Sequence, residues 1–438
     1  MKLADSRIRR WIARVMILII GGLLLACQAL PWTLSVGRAT ATPTPVLPIP
    51  TTPTLPPTPT ESSSVTAPAV ITLWLPPPFD PANETPAAQL LQQRLIQFMS
   101  ENPGVIVKVR VKTSSGPGGL LDSLAAAAAA APAAVPGVIA LNRADLENAA
   151  LKGLIYSLDE AFPQGLDQDW LGYARSLGTI QERLYGLPFA GDAYTLVYRP
   201  TALGAPPASW DELLARGRAV AFAGNDALTP LVLYQGAGGK VQNGQGLPTL
   251  EQEPLTEVFT LFAEAARRGV FPNWVTTLQS DGQVWQTFLE RRADGALTWS
   301  SNYLIDLPTD AVIHPIPALS GNPYTLANGW MWAIADPDPQ RRSLSMRLAA
   351  YLSASEFLAP WSQAAGYLPT RLSVLNAWND ANLRDALSQI ILSAHIPPPN
   401  PVLDSLRPVL SFATQQVLKQ QADPVTAATA AVEQLRRP

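Results

Sequence analysis

Two α/β lobes joined by a chain crossing are the fold class this sequence predicts, on three observations. Between residues 70 and 152, apolar runs of strand length alternate with segments of helical period. One stretch, residues 185–200 (YGLPFAGDAYTLVYRP), reads as a crossover with a ligand cleft beside it. Beyond it a second alternation begins. At ~150 residues per domain, the 438 residues suggest two or three folded units, enough for at least two cores.

The first lobe builds in order. Residues 70–75 (VITLWL) form a short apolar run ended by Pro76, Pro77 and Pro78, and read as a strand. Residues 85–99 place Leu90, Leu91, Ile96 and Phe98 near helical period, and Asn102-Pro103-Gly104 stops that helix. Residues 105–111 (VIVKVRV) alternate from Val107 onward, as a half-buried strand does. The alanine-rich 120–131 segment predicts a small-residue helix packed closely on a sheet. Residues 138–141 give the next strand, and 145–152 a helix stopped by Gly153. Strand, helix, strand, helix, strand implies a parallel sheet with helices on its faces.

The crossover begins on a turn at Gly186-Leu187-Pro188 and ends in a run of aromatic, β-branched and leucine residues, 194–198, that favours a pleated surface. Gly191-Asp192 lies between. After it, Ser209 or Asp211 caps a helix beginning near Trp210. Residues 220–223 read as a strand, and Asn225-Asp226 precede another helix. Residues 236–246, with five glycines, read as a surface loop. Residues 255–269 form an amphipathic helix, 285–292 a helix, and 295–303 (GALTWSSNY) a strand running into a loop.

Composition excludes several functions. A net charge of −3 offers no basic patch for nucleic acid. The single cysteine, Cys27, and two distant histidines, His314 and His395, supply neither a disulfide framework nor metal-ligand spacing. No Gly-x-Ser-x-Gly, Walker, His-Glu-x-x-His or EF-hand pattern occurs. No catalytic residue, metal or cofactor is assigned.

The N-terminus reads as an address. Arg7, Arg9, Arg10 and Arg14 precede a short apolar run, 15–26, and then Leu24-Leu25-Ala26-Cys27. This resembles a bacterial lipobox, so residues 1–26 are expected to be a signal peptide and Cys27 the lipidated first residue. The competing reading is an uncleaved anchor, for which a dozen apolar residues are short of the ~20 a span needs. Arg9-Arg10 is a weak match to a twin-arginine export signal. Either way the rest of the chain lies outside the cytoplasmic membrane. Residues 27–68 are a Pro/Thr/Ser tract with no apolar face, a disordered linker by composition, reaching on the order of 100 Å as extended polyproline II. It serves as a stalk or a passive spacer, and the two are compatible.

The folded segments, in order, resemble the extracellular solute-binding proteins of ABC importers, family 1, the maltodextrin-binding-like group. The resemblance rests on ITLWLP and ENPGVIVKV, on residues 135–160 (VPGVIALNRADLENAALKGLIYSLDE), on the crossover, and on the ASWDEL helix start at 208–213. It continues through 295–303, NGWMWAIA at 328–335, WSQAAGYLPT at 361–370 and the helical end at 396–435. Each motif is weak alone; their ordered run covers residues 70–438. Two departures stand out. Gly137 replaces a usual aspartate, and Pro76-Pro77-Pro78-Phe79 replaces the polar loop after strand one.

The resemblance implies a bilobal, periplasmic-binding-protein-like fold of type II, two sheet-and-helix lobes joined by a multi-stranded hinge. The expected division is lobe one at 69–188, lobe two at 189–310, a return to lobe one at 311–354 with its crossing at 311–317, and a lobe-two helical part at 355–438. The protein would capture a small solute, most simply a sugar or oligosaccharide, by hinge closure and deliver it to ABC permease subunits, held at the membrane by its lipid. Sugar recognition needs aromatic faces and planar polar groups. Tyr303 and Trp299 lie in the segment facing the expected cleft, and Trp330 matches a position that stacks on sugar. Trp330 and Trp332 share a strand face by period two. Asp192 matches an often acidic position. Asn142 and Arg143 follow a strand's C-terminal end, where ligands collect in open α/β sheets, as does Asp226. Tyr367 and Arg371 flank the Gly-Tyr-Leu-Pro turn, where Arg371 binds ligand or bridges the lobes by an ion pair. Trp74 sits on the first strand, in the core or at the ligand. Two other classes remain open: an exported carbohydrate-active enzyme, with Asp192 and Asp226 as a carboxylate pair, and a ligand-free sensory or scaffold protein on the same fold.

Overall fold

The structure, a computed structural model, describes residues 68–436. The expected signal peptide 1–26, Cys27 and the linker as far as residue 67 lie outside the described residues. The strands are β1 (Ala69–Leu75), β2 (Val105–Val111), β3 (Val138–Asn142), β4 (Thr179–Ile180), β5 (Arg183–Leu184) and β6 (Gly186–Tyr198). They continue with β7 (Val220–Ala221), β8 (Gly295–Trp299), β9 (Val312–His314), β10 (Thr325–Ile334) and β11 (Ala394–His395). Apart from the β4-β5 hairpin, they form one sheet in the order β2-β1-β3-β10-β6-β8-β7, with β9 on β6 and β11 on β10.

That order explains the two lobes. β1, β2 and β3 are parallel, as the strand-helix alternation requires. β6 is thirteen residues long and does two things. Its first part, to Ala193, pairs antiparallel with β10, and 194–198 pairs with β8. β10 in turn pairs with β3 through Trp330–Ile334. The antiparallel β6-β10 pair therefore carries the chain between the β1–β3 half and the β7–β8 half.

Local chemistry sets the flanking helices. Thr85 caps Pro86–Glu101, its hydroxyl accepting from the Ala88 amide at 3.2 Å, and Leu91, Leu95 and Phe98 form the buried face. Ser209, of the two candidate caps, holds Trp210–Arg216 through the Glu212 amide at 3.3 Å. The alanine-rich helix is Leu120–Ala130, buried through Leu120 and Leu124. The 220–223 strand shortens to β7.

Two glycines are fixed by close approach. A Cβ at Gly191, in the crossover, would collide with the Tyr173 hydroxyl, which itself donates to the Pro369 carbonyl at 2.7 Å. A Cβ at Gly137 would run into Ser345 Oγ and Ile71. An aspartate there needs the Ser345 and Ile71 side chains, the former on the Pro339–Tyr351 helix, to shift aside.

Two expected divisions do not follow the packing. Residues 311–317 do not return to the first lobe: β9 pairs with Leu196–Tyr198 of β6, and β10 makes the crossing instead. The helix Ser355–Ala365 was expected with lobe two, but Phe357, Leu358 and Trp361 share a core with Ile71, Leu73 and Phe98 of lobe one. In residues 400–436, Leu406 and Leu410 share a core with Phe222, Phe259 and Phe262.

Candidate functional site

The three segments that converge beside the β6-β10 crossing each begin a helix. β3 ends at Asn142, whose side chain caps Arg143–Leu151 by accepting from the Asp145 amide at 2.9 Å. Its Nδ2 donates to Asp145 at 3.0 Å. This spends Asn142 on the cap and leaves Arg143 as the first helical residue. Across from it, Asp226 and Leu228 open the Leu228–Gly236 helix, with Asp226 Oδ1 accepting from the Ala227 amide at 2.6 Å. Asn400 opens the long Asn400–Leu418 helix after Pro397, Pro398 and Pro399.

These residues, with Trp299 at the end of β8 and Leu326 and Asn328 on β10, line a cavity of about 200 Å³. Arg143 comes from the first lobe; Asp226, Leu228, Trp299 and Asn400 come from the second. The cavity thus lies between the lobes, over a floor made by the crossing strand. Trp299 is half-buried and meets Tyr194 edge-on, with ring centroids 5.7 Å apart.

The electrostatics centre on Arg143. Its side chain is 15% exposed and its Nη1 lies 3.8 Å from Glu147 Oε2. Nε and Nη1 are buried and donate to no partner. Burial pulls the Arg143 pKa down, and the Glu147 charge opposes this. Glu147 is itself committed: Oε1 accepts from the Asn400 amide at 3.1 Å, while Asn400 Nδ2 donates to the Ala144 carbonyl at 2.9 Å. A buried donor left unpaired costs ~1–3 kcal/mol, so the guanidinium is held at a price in stability beside a cavity. A cation, amides and an open carboxylate, Asp226, around an indole can bind a polyhydroxylated molecule by charge-assisted hydrogen bonds and ring contact.

The sequence-derived residues divide. Arg143, Asp226 and Trp299 line the cavity, and Asn142 supports it from behind. Trp330 is two residues along β10 from Asn328, half-buried, and edge-on to Phe79 at 5.4 Å. Tyr367 is 5.5 Å from the same Phe79 ring. Burial, then the Asp192 charge, raises its phenol pKa. Trp332 stacks on Phe189 at 3.8 Å in the core, beyond a register shift that follows Trp330.

The other four lie away from the cavity lining, each for a physical reason. Asp192 accepts from Ser300 Oγ at 2.7 Å, Ser301 Oγ at 2.6 Å and the Ser301 and Ala193 amides. It fastens the hinge strand to the start of Ser300–Asp306. Burial raises its pKa against those hydrogen bonds. This carboxylate and Asp226, which is exposed at the cavity, occupy unlike surroundings. Tyr303 lies inward on Ser300–Asp306, its hydroxyl 3.4 Å from the Ala311 carbonyl. Arg371 pairs with Asp169 at 3.2 Å, donates to the Ser353 carbonyl and covers the Trp170 ring, all within one packing unit rather than between lobes. Trp74 is 3% exposed in the core, with the Lys112 ammonium over its ring.

Sequence reasoning missed Glu147, Asn328 and Asn400. Glu147 had a signal, standing four residues after Arg143 on a helix. Asn400 had none, because its partners lie more than 250 residues away.

Two α/β lobes on a shared crossing pair, with a cavity between them, are the architecture of bilobal periplasmic binding proteins. Solved structures agree. The sugar-binding protein MalE from Xanthomonas citri superposes with a TM-score of 0.70 at 18% identity, over 84% of this chain and 98% of that one. The cyclic α-maltosyl-1,6-maltose binding protein from Arthrobacter globiformis gives 0.68 at 16% identity, over 84% and 98%. A solute-binding protein from Thermotoga lettingae, bound with α-D-tagatose, gives 0.65 at 18% identity, over 84% and 99%. Residues 93–385 match the family described as bacterial extracellular solute-binding protein, and the chain belongs to that family. No curated protein matches the sequence significantly.

Proposed function

We propose that this chain is the lipid-anchored capture subunit of an ABC importer, closing its two lobes over a small sugar and presenting it to permease subunits in the membrane. The carrying observation is the inter-lobe cavity in which the Arg143 guanidinium keeps two unpaired donors beside Trp299. Arg143 and Asn328 donate to ring hydroxyls, Asp226 accepts from them, and Trp299 lies against the apolar face of the ring. Capture is by differential affinity: the guest bridges both walls only when the lobes shut. The sugars printed for the structural neighbours, maltose and tagatose among them, support a carbohydrate guest. Cys27, after an apolar run and an alanine, is the lipid attachment point. Among the described residues no helix is long and apolar enough to cross a membrane.

Isothermal titration of the full chain in detergent against a sugar panel tests the reading. One-site binding that raises the melting temperature is expected, since a ligand at 100 times its Kd stabilises by ~2.7 kcal/mol. Heat from none of the sugars overturns it. Mass spectrometry of the membrane-bound protein tests the anchor separately, a diacylglyceryl adduct on Cys27 being the expected result.

A further inference from the structure

We propose that the cleft admits a guest of one or two sugar rings and excludes longer chains, because the protein's own side chains close it at two edges; this rests on the sugar-capture reading above. The floor of the cleft is one face of β10, where Leu326, Asn328 and Trp330 follow at period two. At ~3.3 Å per residue the floor extends ~7 Å from Asn328 to Trp330. The cavity covers Leu326 and Asn328 and stops there.

Over Trp330 the space is filled from within. Phe79 is 3% exposed. It meets Trp330 edge-on at 5.4 Å, Tyr367 at 5.5 Å and Phe189 at 5.2 Å. It arrives there at the end of a single 3-10 turn, Pro77–Phe79, that follows β1 directly. Proline fixes φ, so Pro76, Pro77 and Pro78 stiffen the turn that delivers Phe79, and packing against Phe189, Trp330, Trp361 and Tyr367 holds its ring there. The aromatic surface that would carry a further sugar ring is therefore covered by an aromatic of the chain itself.

The second edge is closed by Asn400, which bonds both Glu147 and the Ala144 carbonyl. These bonds tie the second-lobe helix Asn400–Leu418 onto the first-lobe helix Arg143–Leu151 and close the cavity on that side. Its volume, about 200 Å³, falls below the ~300–1,000 Å³ of sites that hold drug-sized ligands. A third ring has to displace Phe79 or break the Asn400 contacts.

Calorimetry of the full chain with homologous series of mono-, di-, tri- and tetrasaccharides tests this. At least one mono- or disaccharide is expected to bind at least tenfold more tightly than the tri- and tetrasaccharide of its series. A longer chain binding as tightly as or more tightly than its shorter homologues overturns the length limit while leaving sugar capture standing. Binding of no sugar removes sugar capture and this inference with it. The wild-type series decides the question by itself. Phe79→Leu, which keeps an apolar side chain but shortens its reach, is expected to narrow the tri-to-disaccharide ratio at least tenfold; an unchanged ratio overturns the role of Phe79.

Discussion

Two arginines, one in each lobe, the buried Arg199 and the half-buried Arg143, are used in opposite ways. Arg199, in the second lobe, spends its guanidinium fully: Nε on Asp310 at 2.9 Å, Nη1 on the Ala293 carbonyl at 3.0 Å and Nη2 on the Phe288 carbonyl at 2.9 Å, with the Phe288 ring beneath it. Arg143, at the edge of the first lobe, leaves Nε and Nη1 unpaired and has a carboxylate only at 3.8 Å. The difference teaches which of them the fold needs. A satisfied buried cation is part of the scaffold; an unsatisfied one beside a cavity costs stability and keeps its donors free.

The largest expected effect breaks the scaffold side of this pair. Arg199→Met leaves two carbonyls without their donor and Asp310 with only Arg291, and is expected to cost about 3–5 kcal/mol in urea denaturation. A loss under ~1 kcal/mol would show that the network around Arg199 is incidental.

The same distinction extends to a carboxylate. Asp281 accepts from Thr298 Oγ1 at 2.8 Å, the Trp299 amide at 3.3 Å and Asn302, and burial lifts its pKa from 3.8 to about 6. A raised folded pKa means that the folded chain holds a proton the unfolded chain has released. Its contribution to stability is fully present below about pH 4 and is lost as pH rises through about 6. At ~1.36 kcal/mol per unit the span is about 3 kcal/mol. Asp281→Asn, neutral throughout, is expected to flatten the stability profile between pH 4 and 7 by about that amount. Parallel profiles for variant and wild type would mean that Asp281 titrates normally.

Arg143 supplies the other half of the comparison. Arg143→Met removes donors that nothing in the protein satisfies, so stability is expected to stay within ~1 kcal/mol of wild type or to rise. Sugar affinity is expected to fall ~10- to 100-fold, from the ~1.5–3 kcal/mol of a hydrogen bond to a charged group. A variant as unstable as Arg199→Met, with its binding intact, would reverse the roles assigned to the two arginines.

How much of this was legible in the sequence depends on distance along the chain. The β6 crossover was readable because its turn, glycine and strand-forming run are contiguous, and the strand-helix alternation of 70–152 is equally local. The placement of Ser355–Ala365 was not, since only packing against Pro86–Glu101 decides it. Arg143 and Asp226 were singled out because ligands collect where strands end and helices begin, and the fold brings both to the cavity lining. Asp192 was found for its charge, yet its four hydrogen bonds to Ala193, Ser300 and Ser301 turn that charge to the hinge. Residue type shows that a group can bind; it does not show whether the fold has already bound it.

The two tryptophans of the cleft face give the finest form of this comparison, with the smallest effect. Trp330 meets Phe79 and belongs to the packing of the first lobe, whereas Trp299 touches Tyr194 on one side and lines the cavity on the other. Trp299→Leu is expected to cost about 1 kcal/mol of sugar binding, the usual worth of an aromatic contact beyond its area, or about fivefold in Kd. Trp330→Leu is expected to lower thermal stability more than affinity, because the rings it supports, Phe79 among them, lose their neighbour. Measuring Kd and melting temperature for both variants separates the cases. Equal losses of affinity would mean that the open floor of β10 extends beneath both rings, and that Phe79 gives way when the guest enters.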